Sequence, residues 1–95
     1  MVRRFDFNNI DFKRDTEGWL VIKGDILNSS GKNYNSVVFR LVIYIKTIPI
    51  GNTTLTVRGF YNGQTKTFEK KIEELKYDAV IGQRPTCQMY LESAY

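Results

Sequence analysis

Two long runs of alternating apolar and polar positions, separated by a short polar segment, dominate the pattern of this chain. From Trp19 to Asn28 the residues Leu20, Ile22 and Ile26 fall on one face, and from Val37 to Lys46 so do Val37, Phe39, Leu41, Ile43 and Ile45. A period of two over runs of this length predicts strands that are buried on one side. The segment Ser29-Ser30-Gly31-Lys32-Asn33 between them is turn chemistry throughout. Gly24 lies on the inward face between Ile22 and Ile26, where a missing side chain predicts close approach by a bulky group, an aromatic of the opposite sheet being the plain candidate. Asn28 closes the first run, and its side-chain amide is expected to bond the backbone of the Ser-Ser-Gly turn that follows.

The flanking segments fit the same architecture. Phe5 and Phe7 share one parity and Ile10 and Phe12 the other, so residues 4–13 are expected to form a strand bent by a bulge near Asn8-Asn9, which returns all four to one face. Asn62-Gly63 suits a two-residue type I′ hairpin, pairing Phe60 with Thr65 and Val57 with Phe68 and leaving Phe60 on the polar, exposed face. Residues 68–79 fit both a strand and a helix; the expectation is a strand to Lys71 or Ile72 and then a helical turn over Glu73-Glu74-Leu75-Lys76. Pro85 opens a last strand with Cys87, Met89 and Leu91 facing inward. The predicted fold is all-β, an immunoglobulin-like antiparallel sandwich of about seven strands, formed by residues 1–95 as one domain. Its core is Leu20, Ile22, Ile26, Val37, Phe39, Leu41, Ile43, Val57, Phe68, Met89 and Leu91, with Trp19 at a sheet edge.

Composition narrows this picture only modestly. Ninety-five residues suffice for one domain, and the longest apolar run, Leu41 to Ile45, is far shorter than a helical membrane span of about 20 residues. No membrane insertion by this segment is expected. Met1-Val2-Arg3-Arg4 leads into alternating Phe and Asp rather than an apolar stretch, which does not read as a signal peptide. The chain is therefore expected to be cytoplasmic, or else a domain of a longer exported protein. Residues 1–46 hold 8 Lys/Arg against 5 Asp/Glu and residues 47–95 hold 6 against 5, an asymmetry well short of the basic stripe of a dedicated nucleic-acid binder.

The residues offer little for catalysis. There is no histidine, and Cys87 is the only cysteine, so Ser-His and Cys-His dyads, an internal disulfide and cysteine metal clusters are all excluded. Cys87 reads as a small buried hydrophobe. Asp6, Asp11, Asp15 and Glu17 are spread over a strand and turn, and Glu73 and Glu74 diverge as neighbours, so no carboxylate pair suited to acid/base work is expected. No cofactor or metal is predicted. Asn28-Ser29-Ser30 and Asn52-Thr53-Thr54 match the glycosylation tripeptide, which carries meaning only in a eukaryotic secretory setting.

One surface stands out. Opposite its core face the second long strand carries Val38, Val42 and Tyr44, with Arg40 and Lys46 as its polar members, more apolar than a half-exposed strand requires. Its plain reading is a central strand shielded by the long side chains of its neighbours. The functional reading makes Val38, Arg40, Val42 and Tyr44 a contact surface for a protein partner, with a weak homodimer as the simplest case. The alternative is a single-stranded nucleic-acid-binding barrel of the oligonucleotide-binding type, using Arg40, Tyr44 and Lys46, or Arg58, Phe60 and Lys71, as basic groups beside stacking aromatics.

The run Gly24-Asp25-Ile26-Leu27-Asn28-Ser29-Ser30-Gly31-Lys32, then Tyr34, then Val37-x-Phe39-x-Leu41-x-Ile43-Tyr44, resembles the FxLYD family of small immunoglobulin-like domains. Leu41-Val42-Ile43-Tyr44-Ile45 stands at the namesake motif, with only the Tyr literal. The resemblance covers residues 19–46 and continues beyond them only as a strand order. It implies a non-catalytic, extracytoplasmic module and brings no catalytic residues with it.

Overall fold

The computed structural model describes residues 5–95, so Met1–Arg4, including the expected strand start at position 4, lie outside the described residues. Six strands follow in order: β1 (Phe5–Arg14), β2 (Trp19–Asn28), β3 (Tyr34–Ile45), β4 (Ile48–Phe60), β5 (Thr65–Lys76) and β6 (Thr86–Ala94). A single helical turn, α1 (Tyr77–Val80), and a 3-10 turn at Ile81–Gln83 link β5 to β6. The strands make two antiparallel three-stranded sheets, ordered β1-β2-β5 and β4-β3-β6. The all-β sandwich is as expected, with six strands among the described residues rather than about seven.

Alternation explains the two central strands. Leu20, Ile22 and Ile26 of β2 and Val37, Phe39, Leu41 and Ile43 of β3 are completely shielded from solvent, so each sheet buries one face against the other. At roughly 25 cal/mol per Å² of apolar surface, these side chains are the main favourable contribution to folding. Phe5 and Phe7 of β1 close on Phe39 from across the sandwich, both edge-on, with ring centroids 5.2 and 5.4 Å away. Their shared orientation toward the core with Ile10 and Phe12 depends on the predicted irregularity: the β1–β2 register shifts between Asn8 and Asp11, and Asn9 takes φ +58. Asn tolerates that conformation better than most residues. Met89 and Leu91, expected in the core, are half-buried at its margin, whereas Phe60 and Ile72 join its interior.

Four local expectations are corrected. Asn62-Gly63 does not close a hairpin, because β4 and β5 belong to different sheets. Only Gly63 of the pair has positive φ, and Gln64 N–H donates to Tyr61 C=O at 3.0 Å, the arrangement of a type II turn rather than type I′. Phe60 is consequently buried instead of exposed. Gly59, at φ +63, breaks the alternation so that Val57 and Phe60, three residues apart, both reach the interior. The strand-or-helix ambiguity after Phe68 resolves as strand through Lys76, with the helical turn beginning only at Tyr77. Trp19 opens the central strand β2 rather than lying on an edge strand, and Lys76 Nζ sits 3.7 Å from its ring centroid, an attractive cation–π arrangement.

Gly24 is approached closely, as expected, but by neighbours in its own sheet. A Cβ there would meet Ile10 Cδ1 at 2.4 Å and the Phe68 ring at 3.2 Å. Asn28 is fully buried and saturated: its Oδ1 accepts from Ser30 N–H at 3.0 Å and Ser30 Oγ at 2.6 Å, and its Nδ2 donates to Lys32 C=O at 2.9 Å and Phe60 C=O at 3.2 Å. Truncating it orphans buried backbone groups, each at a cost of about 1–3 kcal/mol. Asn28→Ala is expected to lower unfolding stability by about 3 kcal/mol, and Gly24→Ala by about 1–3 kcal/mol through overpacking against Ile10. Urea denaturation of both variants beside the wild type checks the two values.

Candidate functional site

β3 occupies the middle of its sheet, so its outward side chains are framed on both sides. Val38, Arg40, Val42 and Tyr44 point away from the core and are half-buried. Register sets Thr56 of β4 and Ser93 of β6 beside Val38, Thr54 and Tyr90 beside Arg40, and Asn52 and Gln88 beside Val42. Pro49 and Thr86 flank Tyr44. The four predicted residues therefore form one continuous stripe down the middle of an otherwise polar face.

Arg40 spans that stripe. Its Nε donates to Glu92 Oε1 from the β6 side, and its Nη1 donates to Asn52 Oδ1 at 2.8 Å from the β4 side. The guanidinium is thus held across the strand between its β6 and β4 neighbours, in the stripe between Val38 and Val42. Below it, the Tyr44 and Tyr90 hydroxyls are 3.0 Å apart. Tyr90 is 46% exposed, one of the most open large side chains of the molecule. The bond to Tyr90, with a smaller contribution from burial, raises the Tyr44 phenol above its ordinary value. The face thus combines a hydrogen-bonded phenol pair, a tethered guanidinium and two half-buried valines. It suits shape-based contact better than proton transfer.

Other sequence-derived candidates are scattered. Arg58 and Lys71 lie on different sheets, and Phe60 between them in that reading is buried, so this set cannot stack bases. Because the six strands divide into two separate sheets, the closed barrel of the nucleic-acid alternative does not form. Asn28, of the first glycosylation tripeptide, is buried, and Asn52, of the second, receives the Arg40 guanidinium. Cys87 is half-buried, and desolvation pushes its thiol up to about 11, away from the thiolate a nucleophile needs. Asp15 serves the first turn by accepting from Glu17 N–H at 2.9 Å and Trp19 N–H at 2.7 Å. Asp25, on β2, is held below its usual range by bonds from the Asn9 amide and the Thr67 hydroxyl.

Sequence reasoning missed Tyr90 and Glu92 as members of this face. Both lie on the outward parity of β6, but only the β3–β6 register shows that they border Arg40 and Tyr44.

No family model matches the chain, and no curated protein matches it either. Among solved structures it is similar to DesR, a β-glucosidase from Streptomyces venezuelae in complex with D-glucose. The TM-score is 0.57 and the identity 13%, over 98% of this chain and 14% of that one. The chain thus spans about a seventh of that protein's length, and the likeness is one of fold.

Because the phenol pair favours the neutral form of Tyr44, its contribution to stability is full below the ordinary tyrosine range and is lost as pH rises through the raised value. Ultraviolet titration is expected to show a tyrosine ionisation above the ordinary tyrosine range. Tyr90→Phe is expected to bring that ionisation back toward the ordinary range.

Proposed function

We propose that this chain is a non-enzymatic binding or structural module that presents the outer face of its β4-β3-β6 sheet to a protein partner. The observation that carries this reading is the Val38-Arg40-Val42-Tyr44 stripe on the central strand, with its guanidinium fixed between Glu92 and Asn52. A tethered arginine loses little further freedom on binding, and apolar area beside an ordered Arg and two Tyr is the composition enriched where proteins bind one another. An immunoglobulin-like assignment accords with the strand order: β1-β2-β5 matches strands A, B and E of that fold, and β3 beside β6 matches strands C and F. The same order fits the resemblance to the FxLYD domains, whose non-catalytic role agrees with the absence of histidine.

The test uses immobilised protein to capture partners from native cell extract. Val42→Lys places a charge where an interface would desolvate it, while its stem stays near the surface, at an expected cost of about 1 kcal/mol to the isolated fold. Specific capture is expected to be lost with Val42→Lys and retained with Lys13→Glu on the opposite sheet. Equal capture by both variants would remove this face from the proposal. In parallel, fluorescence titration with short single-stranded DNA and RNA is expected to show no salt-sensitive binding, and steep salt-dependent binding would favour the nucleic-acid reading instead.

A further inference from the structure

The sandwich has four edge strands, β1, β5, β4 and β6, and three of them carry features that discourage further pairing. β1 is broken by its bulge and by Asn9 at φ +58. β4 carries Pro49, which has no N–H to donate, and Gly59 at φ +63. β5 places Lys66 and Lys70 on the same parity as its buried Phe68 and Ile72, so charges point toward the interior side of the edge. Bulges, prolines and inward charges are the devices that keep sheet edges from adding strands.

β6 carries no proline and no inward charge; its one irregularity is the bulge at Glu92, where the β3–β6 register shifts, and Thr86–Leu91 pairs regularly with β3. Thr86–Ala94 contains no Pro, Gly, Lys or Arg, and its one charge, Glu92, is engaged by Arg40 on the outer face. Its inward side chains Cys87, Met89 and Leu91 are only half-buried, at the flank where β1 likewise leaves Phe5, Phe7, Ile10 and Phe12 half-buried. The apolar interior is therefore incompletely closed along one side.

The main chain of β6 defines which groups stand open. Ser36 and Tyr95 exchange both hydrogen bonds, at 3.0 Å each, so alternation along β3 directs Val38, Arg40, Val42 and Tyr44 toward β6. Their partners Ser93, Tyr90, Gln88 and Thr86 are thereby turned toward β3. Cys87, Met89 and Leu91 consequently direct their N–H and C=O groups away from β3, to the free edge.

We infer that β6 pairs antiparallel with β6 of a second copy, about a two-fold axis through Met89. In that register Cys87 faces the partner's Leu91, Met89 faces its equivalent and Leu91 faces the partner's Cys87, so all three outward-directed residues meet outward-directed residues. The inner face gains only apolar neighbours, while on the outer face Gln88 meets Tyr90, and the ladder ends before the bulged Glu92, with no like charges opposed. Self-complementarity is what selects a second copy as occupant. The pairing closes on itself, consuming the open edge of both copies and leaving none for a third. It joins two three-stranded sheets into one of six strands with both Arg40 faces on the same side.

Sedimentation across a concentration series provides the first test. The weight-average mass of the wild type is expected to rise toward twice the monomer mass, and a monomer at the highest concentration overturns the inference. Met89→Pro removes an outward N–H without removing a bond to β3, so a folded variant is expected to stay monomeric. If it folds and still dimerises, the edge is not the interface. If it fails to fold, oxidative cross-linking decides. With Cys87→Ser as background, Met89→Cys places two thiols on the axis at a Cα separation of about 5.5 Å, within disulfide reach. Thr86→Cys in the same background places them about 20 Å apart along the strands. At least tenfold faster cross-linking at position 89 is expected, and equal rates overturn the register. Val42→Lys is expected to leave the dimer intact, which separates this interface from the proposed partner face.

Discussion

The structure depends on one buried amide. Asn28 stands at the end of β2, where the chain leaves one sheet for the other, and it also holds the place where β4 gives way to β5 and the chain returns. Its side chain joins Ser30 and Lys32 of the first crossing to Phe60 of the second. Its backbone N–H donates to Gln64 C=O at 3.0 Å, and its C=O accepts from Gly63 N–H at 2.7 Å. Two further bonds, Gly31 N–H to Asn62 Oδ1 and Asn62 N–H to Asn33 Oδ1, link the same turns. Two polar connections that would each be loosely held alone are thus set as one body, and the strands entering and leaving them inherit its orientation. In a low-dielectric setting a saturated polar group of this kind specifies geometry, because alternative arrangements leave its atoms unpaired.

That clamp also explains where sequence reasoning succeeded and where it did not. The β1 bulge was legible because parity is a local property: Phe5, Phe7, Ile10 and Phe12 cannot share a face without an inserted residue. The bonding of Asn28 to its own turn was legible for the same reason. The destination of the chain after Asn62-Gly63 was not. A dipeptide suited to a turn fixes a reversal of direction but not the sheet that the next strand joins, and here the bonds to Asn28, Gly31 and Asn33 decide it. Lys66 and Lys70 did carry a signal, since charges on the inward parity of a strand with Phe68 and Ile72 mark an edge, and a strand paired with β4 through Asn62-Gly63 would have set Lys66 against Gly59 and Lys70 against Leu55.

Much of the candidate face was similarly visible as a pattern and invisible as an arrangement. The outward residues Val38, Arg40, Val42 and Tyr44 follow from alternation alone. Arg40's bonds to Asn52 and Glu92, and Tyr44's contact with Tyr90, bring together residues 12 to 52 positions apart, and such pairs emerge only once register is known.

The clamped end has a mechanical consequence. Phe5 pairs with Asn28, and Tyr95 exchanges bonds with Ser36, so the first and last described residues emerge at the same end of the sandwich as the two linked crossings. Tension applied between them does not load the ladders along their length. It opens the outer strands one hydrogen-bonded pair at a time, starting beside the clamp, in the manner of a zip rather than a shear joint. The fold resists disorder through its core and its crossings, yet it yields to small forces at its ends, with β1 and β6 the first strands to part from their sheets.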